Sequence, residues 1–245
     1  MKYLHDIGSY FLMLKRVFAS PTKSSVLKQL IYKEIDDLII KSLGIVAFIS
    51  FFVGGVVAIQ TALNMDNPLI PKSLIGFATR QSVILEFAPT FISIIMAGKV
   101  GSFITSSIGS MRVTEQIDAL EVMGINSLNY LVFPKIIALA FYPFVIVISM
   151  FLGIMGGWLA GVYGGFTSSA DFIAGVQEGF IPYQLFYAFF KTFIFAMILA
   201  TVPSWQGYYM KGGALEVGKA STNSFVWTSV LIILANYIVT QLLLS

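Results

Sequence analysis

The residues of this sequence whose types could carry chemistry are a few charged side chains within or between long apolar stretches. Glu86 and Lys99 lie in one such stretch, 83–111. If it crosses a membrane, an ionisable group there costs at least ~2.5 kcal/mol unless it is paired or hydrated, so such groups are candidates for a binding or ion pathway. The two are about 20 Å apart along a helix, so each needs a partner of its own. The alternative is that Glu86 lies among lipid headgroups and Lys99 reaches the surface through its long side chain.

Pro89 lies shortly after Glu86 and has no backbone N–H to donate. In a helix it therefore frees a carbonyl near the acid and can kink the chain. This combination predicts a polar pocket close to Glu86.

A second set of charges lies in the stretch SMRVTEQIDALEVMGIN, which begins at Ser110. Projection at 100° per residue places apolar residues and a glycine on one side, opposite Thr114 and the acids, with Arg112 at the flank. This predicts a short amphipathic helix over about 111–124. A helix that bound anionic lipid would carry Lys and Arg on its polar face, so the acidic face favours a basic protein partner. The alternative is a solvated loop helix. The apolar side consists of Val113, Ile117, Leu120 and Gly124, and the acids are Glu115, Asp118 and Glu121.

A third stretch, Gly213–Ala220, nearly spells the phosphate-binding pattern G-x-x-x-x-G-K-[ST]. Ala220 stands where the Mg²⁺-binding hydroxyl belongs, and no strand precedes the loop, so we interpret it as a glycine-rich turn. Any ATP used by the system would be bound, with Mg²⁺, by another chain, and this chain binds no cofactor itself. With no cysteine and a single histidine, His5, the sequence predicts neither a metal site nor a catalytic triad.

The elements that must position these residues are membrane spans. Hydrophobic residues make up 57% of the 245-residue chain and the mean hydropathy is +0.86, which indicates a membrane protein. Because about 20 apolar residues cross a bilayer as a helix, we predict an all-α polytopic protein with five spans. Lys and Arg are concentrated in alternate flanking segments, which places the N-terminus and the 111–124 helix in the cytoplasm and the C-terminus outside. The predicted spans are about 42–63, 83–110, 134–163, 183–208 and 222–244, after cytoplasmic or interfacial helices over 1–41.

Residues 1–18 predict an amphipathic helix in the membrane interface, because apolar residues recur every three or four positions. The alternative is a packing helix in the cytosol. Pro21 is expected to end it. The predicted apolar positions are Leu4, Ile7, Phe11, Leu14 and Phe18.

The third span carries four glycines at intervals of four, Gly153, Gly157, Gly161 and Gly165. A helix face without side chains lets another helix approach closely. That face could serve packing within the chain or contact between subunits.

Several motifs resemble the MlaE-type permeases of ABC lipid transporters, a family with bacterial and chloroplast envelope branches. The resemblance runs from about Gly54 to the C-terminus, and its most specific block is Met111–Gly124. The matching motifs are Glu86–Pro89, Ala97–Gly101, Gly109–Gly124 and Gly213–Val226. Lys99 stands where the family more often has arginine, and Ser107 lies near a position that is often acidic in the family.

The resemblance implies a non-catalytic, homodimeric permease of the bacterial inner membrane, with an N-terminal interfacial helix and five spans per subunit. The implied partners are a cytoplasmic ABC ATPase dimer and a periplasmic ring, expected to be hexameric, of MCE-domain subunits, with no nucleic acid. The segment that matches the coupling helix, which docks on the ATPase in this family, carries Arg112, Glu115, Gln116, Asp118, Glu121 and Gly124. The residues expected at the lipid cavity are Ile59, Gln60, Leu63, Glu86, Phe87, Phe91 and Lys99.

The function implied is transport of phospholipid between the inner membrane and the MCE shuttle, in maintenance of outer-membrane lipid asymmetry. ATP-driven closure of the partner would push on the coupling helix and so move the spans. Two alternatives remain open on the sequence. One is an ion-coupled secondary transporter that uses Glu86 and Lys99, and the other is an ABC permease for small solutes.

Overall fold

The computed structural model describes residues 2–19, 23–65 and 70–244 and is 87% helical. Among these residues no β-strand occurs. Five helical segments are long and apolar enough to cross a membrane, which confirms the predicted all-α class and the number of spans. The break predicted at Pro21 lies outside the described residues. The five segments are Ser24–Asn64, Ser73–Val113, Ser127–Tyr163, Tyr183–Tyr208 and Ala214–Leu243.

The α-helices within and between these segments are numbered in chain order. They are α1 Lys2–Val17, α2 Ser24–Glu34, α3 Leu43–Asn64, α4 Ser73–Ser82, α5 Ile92–Met96, α6 Ser102–Val113, α7 Gln116–Val122, α8 Ser127–Leu139, α9 Tyr142–Tyr163, α10 Ser169–Gln177, α11 Tyr183–Tyr208 and α12 Ala214–Leu244.

Wider π-helical turns interrupt the first two candidate spans at Ile35–Ile39, Val83–Phe91 and Ala97–Gly101. The second of these contains Pro89, which cannot make the ordinary i→i−4 bond. Such π-bulges are frequent at functional sites. Two of the interruptions hold the charged residues singled out in the sequence, Glu86 and Lys99.

The chain divides into two compact units, and every candidate span contributes residues to both. Unit 1 comprises Met1–Ser42, Ile94–Tyr142 and Ile194–Ala235, and unit 2 comprises Leu43–Ser93, Pro143–Phe193 and Asn236–Ser245. Each unit is described separately below.

In unit 2, α3 and α9 pack through glycine. A Cβ built on Gly54 would lie 1.8 Å from the Gly153 carbonyl oxygen, and one on Gly157 would lie 3.1 Å from the Gly54 carbonyl oxygen. Ser50 Oγ and Ser149 Oγ also hydrogen-bond across these helices at 2.7 Å. The glycine face therefore packs within the chain, which is the first of the two sequence alternatives.

The glycine face is shorter than predicted at its C-terminal end. A Cβ on Gly161 would lie 3.2 Å from Thr167 Cγ2, so this glycine is closely packed too. Gly165 does not share the face, because α9 ends at Tyr163 and Gly165 has φ +75° with open space around it. It closes the helix, which is the usual role of a left-handed glycine beyond a C-terminus.

A helix between the third and fourth spans, α10, packs closely on α4 in unit 2. A Cβ on Gly175 would lie 1.8 Å from the Ser73 carbonyl oxygen, and one on Gly76 would lie 2.2 Å from that of Phe172. Arg80, 1% exposed, donates from Nη1 to the carbonyl oxygens of Val176 at 2.7 Å and Glu178 at 2.8 Å. A cation at the last carbonyls of a helix satisfies them and complements the helix dipole.

In unit 1, α1 is anchored by one face and exposed on another. Met13 and Val17 are fully buried, whereas Ile7 and Phe11, two of the predicted apolar positions, are 55% and 64% exposed. The Tyr10 hydroxyl lies 2.7 Å from Thr201 Oγ1 of α11, and burial raises its pKa above the usual 10.0. The helix is therefore held to the unit while an apolar stripe remains uncovered.

The segment predicted as one helix over 111–124 is divided in the structure. α6 ends at Val113, Glu115 adopts φ +58°, and α7 then covers Gln116–Val122. The left-handed residue breaks the helical run, so the projected face does not extend over the whole segment. Within α7 the projection holds at Ile117, which is fully buried. Gly124 ends α7 with φ +75°, and the Ile125 N–H donates to the Leu120 carbonyl at 3.0 Å, a Schellman arrangement.

Candidate functional site

An ion pair joins the second and fourth candidate spans within unit 2. Lys191 Nζ donates to Glu86 Oε1 at 2.9 Å, and the lysine side chain is 0% exposed whereas the glutamate side chain is 44% exposed. Glu86 therefore has the partner that its position in an apolar span requires. The pair is buried at its cation and open at its anion.

The Lys191 ammonium has two further hydrogen-bond acceptors. Its Nζ lies 3.0 Å from the Leu85 carbonyl oxygen and 3.0 Å from the Tyr187 hydroxyl oxygen. Leu85 lies four residues before Pro89, within the same π-helical segment. The Lys191 ammonium, which has three protons, thus has three oxygen acceptors close to the acid.

The second carboxylate oxygen of Glu86 faces α12. Asn236 Nδ2 donates to Glu86 Oε2 at 3.1 Å. Thr90 Oγ1 lies 3.0 Å from Glu86 Oε2 and 3.0 Å from Asn236 Oδ1, and its single proton can serve one of them at a time. The Tyr187 hydroxyl lies 2.7 Å from Thr240 Oγ1, also on α12. One polar network thus connects the π-helical segment 83–91, α11 and α12.

The chemistry open to this network is recognition of charge. A half-exposed carboxylate beside a buried ammonium can accept hydrogen bonds or a cation from a ligand, while the lysine stays fixed by two neutral oxygens. Phe87 and Phe91, on the same segment, are 36% and 44% exposed and their ring centroids lie 6.3 Å apart. Among the described residues no group of three or more acidic or histidine side chains could hold a metal ion.

The loop around α7, in unit 1, carries the second candidate site. Arg112 Nη1 donates to Asp118 Oδ1 at 2.7 Å, so these two predicted docking charges are paired. Glu121 Oε1 accepts hydrogen bonds from Ser127 Oγ and the Tyr208 hydroxyl, both at 2.9 Å. Glu115 and Gln116 are exposed, and the neighbouring Val122 and Met123 are 89% and 65% exposed. The loop thus presents three exposed acids and two apolar side chains, and of these acids Asp118 and Glu121 already have partners within the chain.

The sequence of the chain matches the profile of a protein family described as permease MlaE over residues 31–242. The chain belongs to the MlaE permease family. It is therefore an ABC transporter permease with membrane-spanning helices, and the ion-coupled secondary transporter considered above does not describe it.

Similarity to individual MlaE-family proteins extends over most of the chain. A probable ABC transporter permease of Rickettsia conorii is 32% identical over 99% of this chain and 93% of its own length. Protein TRIGALACTOSYLDIACYLGLYCEROL 1, chloroplastic, of Arabidopsis thaliana is 29% identical over 82% of this chain and 57% of its own. The intermembrane phospholipid transport system permease protein MlaE of Haemophilus influenzae is 26% identical over 87% of this chain and 82% of its own length.

The structure places the predicted cavity residues of this MlaE-family chain in different parts of the fold. Ile59, Gln60 and Leu63 are exposed on α3, and six of the seven candidates belong to unit 2. Phe87 also lines a small cleft with Val53, Val83, Ser149 and Gly153, among others. The cleft lining does not include the other six candidates.

Lys99, the seventh candidate, belongs to unit 1 and does not share the network around Glu86. Its Nζ donates to the Lys41 carbonyl oxygen, in the irregular stretch that follows α2. Lys99 therefore has a neutral backbone partner of its own, as the separation of the two charges along the helix predicts.

Lys191, Asn236 and Tyr208 are among the residues of these sites that the motifs of the sequence do not include. Lys191 was visible as a lone charge in the fourth span, which is a usable signal for a membrane site. Asn236 and Tyr208 carry no such signal, because a single Asn or Tyr in an apolar span is ordinary in composition. Their roles depend on which helices lie beside them.

Proposed function

We propose that this permease is the membrane subunit of an ABC transporter that moves phospholipid between the inner membrane and a periplasmic MCE-domain shuttle, in maintenance of outer-membrane lipid asymmetry. The observation that carries the proposal is the Glu86–Lys191 pair, whose carboxylate is 44% exposed beside exposed Phe87. A diacyl phospholipid offers a charged headgroup and long acyl chains, which match these two features. The lipid transport named for the Haemophilus relative supports the same substrate class.

The proposed headgroup contact requires the ion pair to exchange partners. A headgroup amine would hydrogen-bond to Glu86, and a headgroup phosphate would compete for Lys191, while Phe87 and Phe91 would contact acyl chains. The mixed burial supports this arrangement, because an anion that keeps contact with its surroundings can change partners without the full desolvation penalty of a buried charge.

We propose that α3 faces a second copy of the chain. Its exposed apolar side chains recur at helical spacing and form one stripe, made of Phe48, Phe52, Val56, Ile59 and Leu63. In a homodimer, two such stripes would enclose an apolar cavity between the subunits. Ile59 and Leu63 would then contact lipid, as the family resemblance implies.

The orientation that the Lys and Arg distribution predicts places α7 in the cytoplasm and the C-terminus in the periplasm. There the exposed Glu115, Val122 and Met123 would contact the ABC ATPase dimer, which supplies ATP and Mg²⁺ chemistry that this chain lacks. The exposed stripe on α1, which includes Ile7 and Phe11, would lie in the membrane interface.

Reconstitution tests the lipid proposal. The permease, its ATPase and its MCE partner are placed in proteoliposomes, and transfer of a fluorescent phospholipid to acceptor vesicles is measured for Glu86→Gln, Lys191→Met and the exposed control Asp171→Asn. We expect transfer to fall about tenfold or more in the first two variants, the scale of a lost charged contact. Normal transfer in both, or no stoichiometric lipid by mass spectrometry of the purified complex, would contradict the proposal.

A separate capture assay tests the docking proposal. Tagged permease carrying Glu115→Lys should retain several-fold less ATPase than wild type, because this acid is exposed at the loop. Glu178→Lys, an equal charge reversal at an exposed residue just beyond α10, is the control. Equal ATPase capture by wild type and Glu115→Lys would exclude a docking role for this charge.

A further inference from the structure

Tyr208 is the last residue of α11, and it contacts three successive parts of the loop that contains α7. Its carbonyl oxygen accepts from Arg112 Nε at 3.2 Å, and its ring centroid lies 4.9 Å from the Arg112 guanidinium carbon. Its hydroxyl donates to Glu121 Oε1 at 2.9 Å and lies 2.8 Å from Ser127 Oγ. The end of α6, α7 itself and the start of α8 therefore all meet one side chain, which is only 5% exposed.

The hydroxyl contact differs from the others, because it connects α7 directly to α11. Arg112 lies before the left-handed break at Glu115 and Ser127 lies after Gly124, so neither is part of α7. Glu121 is part of α7, and its Oε1 accepts a hydrogen bond from each of the two hydroxyls. A hydrogen bond to a carboxylate is among the stronger ones a protein makes.

We propose that Tyr208 is a positioning residue that fixes α7 to the end of α11, so that displacement of α7 moves α11, the helix that also carries Lys191. This rests on the proposed docking of an ATPase at α7. Without the Tyr208 hydroxyl, α7 still presents its exposed side chains to the ATPase, and ATP-driven movement of α7 passes poorly to α11.

The structure offers a matched control for the loss of one hydroxyl. The Tyr10 hydroxyl also hydrogen-bonds to α11 in the same unit, 2.7 Å from Thr201 Oγ1, and so connects α11 to α1 and not to α7. Tyr208→Phe and Tyr10→Phe therefore remove the same hydroxyl group, which contacts Glu121 and Ser127 in the first case and Thr201 in the second. Tyr208→Phe also keeps the ring over Arg112 and the backbone carbonyl that Arg112 contacts.

The experiment uses the reconstituted complex of permease, ATPase and MCE partner in phospholipid vesicles. Two quantities are measured for each variant, the ATPase captured by tagged permease and the phospholipid transferred per ATP hydrolysed. For Tyr208→Phe we expect capture within about twofold of wild type and transfer per ATP about tenfold lower, the scale of one lost charge-assisted hydrogen bond. Tyr10→Phe should match wild type in both.

Glu121→Gln tests the same contact from its other side, with Tyr208 intact. We expect transfer per ATP to fall in this variant too. The double variant should transfer no less phospholipid per ATP than the more impaired of the two single variants, because both changes affect the same Tyr208–Glu121 contact. Wild-type transfer per ATP in Tyr208→Phe, or a multiplied loss in the double variant, overturns the proposal. If the Tyr208→Phe permease does not assemble with the ATPase, phospholipid transfer per ATP in Glu121→Gln alone tests the proposal, and wild-type transfer there overturns it. If wild-type permease captures no ATPase, the proposed function fails instead.

Discussion

Lys191 and Glu86 form an ion pair in which the cation is fully buried and the anion is 44% exposed, with Nζ and Oε1 2.9 Å apart. The lysine, whose side chain is fully buried, offsets the cost of burying its charge through three oxygen acceptors. The carboxylate keeps one side open. Because of this asymmetry, substitution of Glu86 and substitution of Lys191 should differ in their effects on stability, and the two residues should differ in how readily they exchange partners with a ligand.

The asymmetry predicts unequal stability effects. Glu86→Gln leaves a buried ammonium without its counter-ion and should lower the free energy of unfolding by about 3 kcal/mol, whereas Lys191→Met removes the buried charge and should cost about 1 kcal/mol. Unfolding in mixed micelles with increasing denaturing detergent measures both. Lys219→Met, which breaks the exposed Lys219–Glu216 pair, is the control and should change little. A larger loss for Lys191→Met than for Glu86→Gln would contradict this account.

Close packing of α3 and α9 predicts a strong effect of one methyl group. Gly54→Ala should lower the free energy of unfolding by about 3 kcal/mol, because the added Cβ would meet the Gly153 carbonyl oxygen at 1.8 Å and the helices must separate. Gly44→Ala, in the same helix with open space around it, should be neutral or stabilising by up to about 1 kcal/mol. The same detergent titration compares them, and equal effects would refute glycine packing as the cause.

The left-handed backbone conformation of Glu115 allows the effects of charge and of backbone conformation on ATPase docking to be tested separately. Glu115→Gly relieves the φ of +58° and should stabilise the chain by about 1 kcal/mol, whereas Glu115→Val should destabilise it by a similar amount. Both variants lose the carboxylate, so both should capture less ATPase to the same extent. If only the valine variant binds less, then backbone geometry, rather than charge, governs docking.

Arg80 predicts a local effect on the loop between the third and fourth spans. Arg80→Met leaves the carbonyl oxygens of Val176 and Glu178 without their donor and should cost about 2 kcal/mol or more. Hydrogen exchange in α10 should accelerate, because the guanidinium holds its C-terminal end. Lys72→Met, an exposed change at the start of α4, is the control. Unchanged exchange in α10 would show that the α4 and α10 glycines alone hold this helix.

Some features of the sites were readable from short stretches of sequence, because their causes are local. Pro89 lacks a donor wherever it occurs, so a free carbonyl near Glu86 could be predicted without knowing what would bind it. The φ of Gly124 similarly follows a helix-ending pattern that depends on few neighbours. The left-handed Glu115 had no such signal, since neither glycine nor proline marks the turn.

The sequence by itself determined the membrane class, the five spans, the family and the positions of the unusual charges. All of these follow from composition, local periodicity and contiguous motifs. The tertiary structure alone decided the partners: Lys191 for Glu86 across 105 positions of chain, a backbone carbonyl for Lys99, and Tyr208 for Glu121. The physical reason is that helical periodicity fixes which side chains share a face, whereas a hydrogen bond between helices depends on which faces meet and at what height. That information arises only when the helices pack.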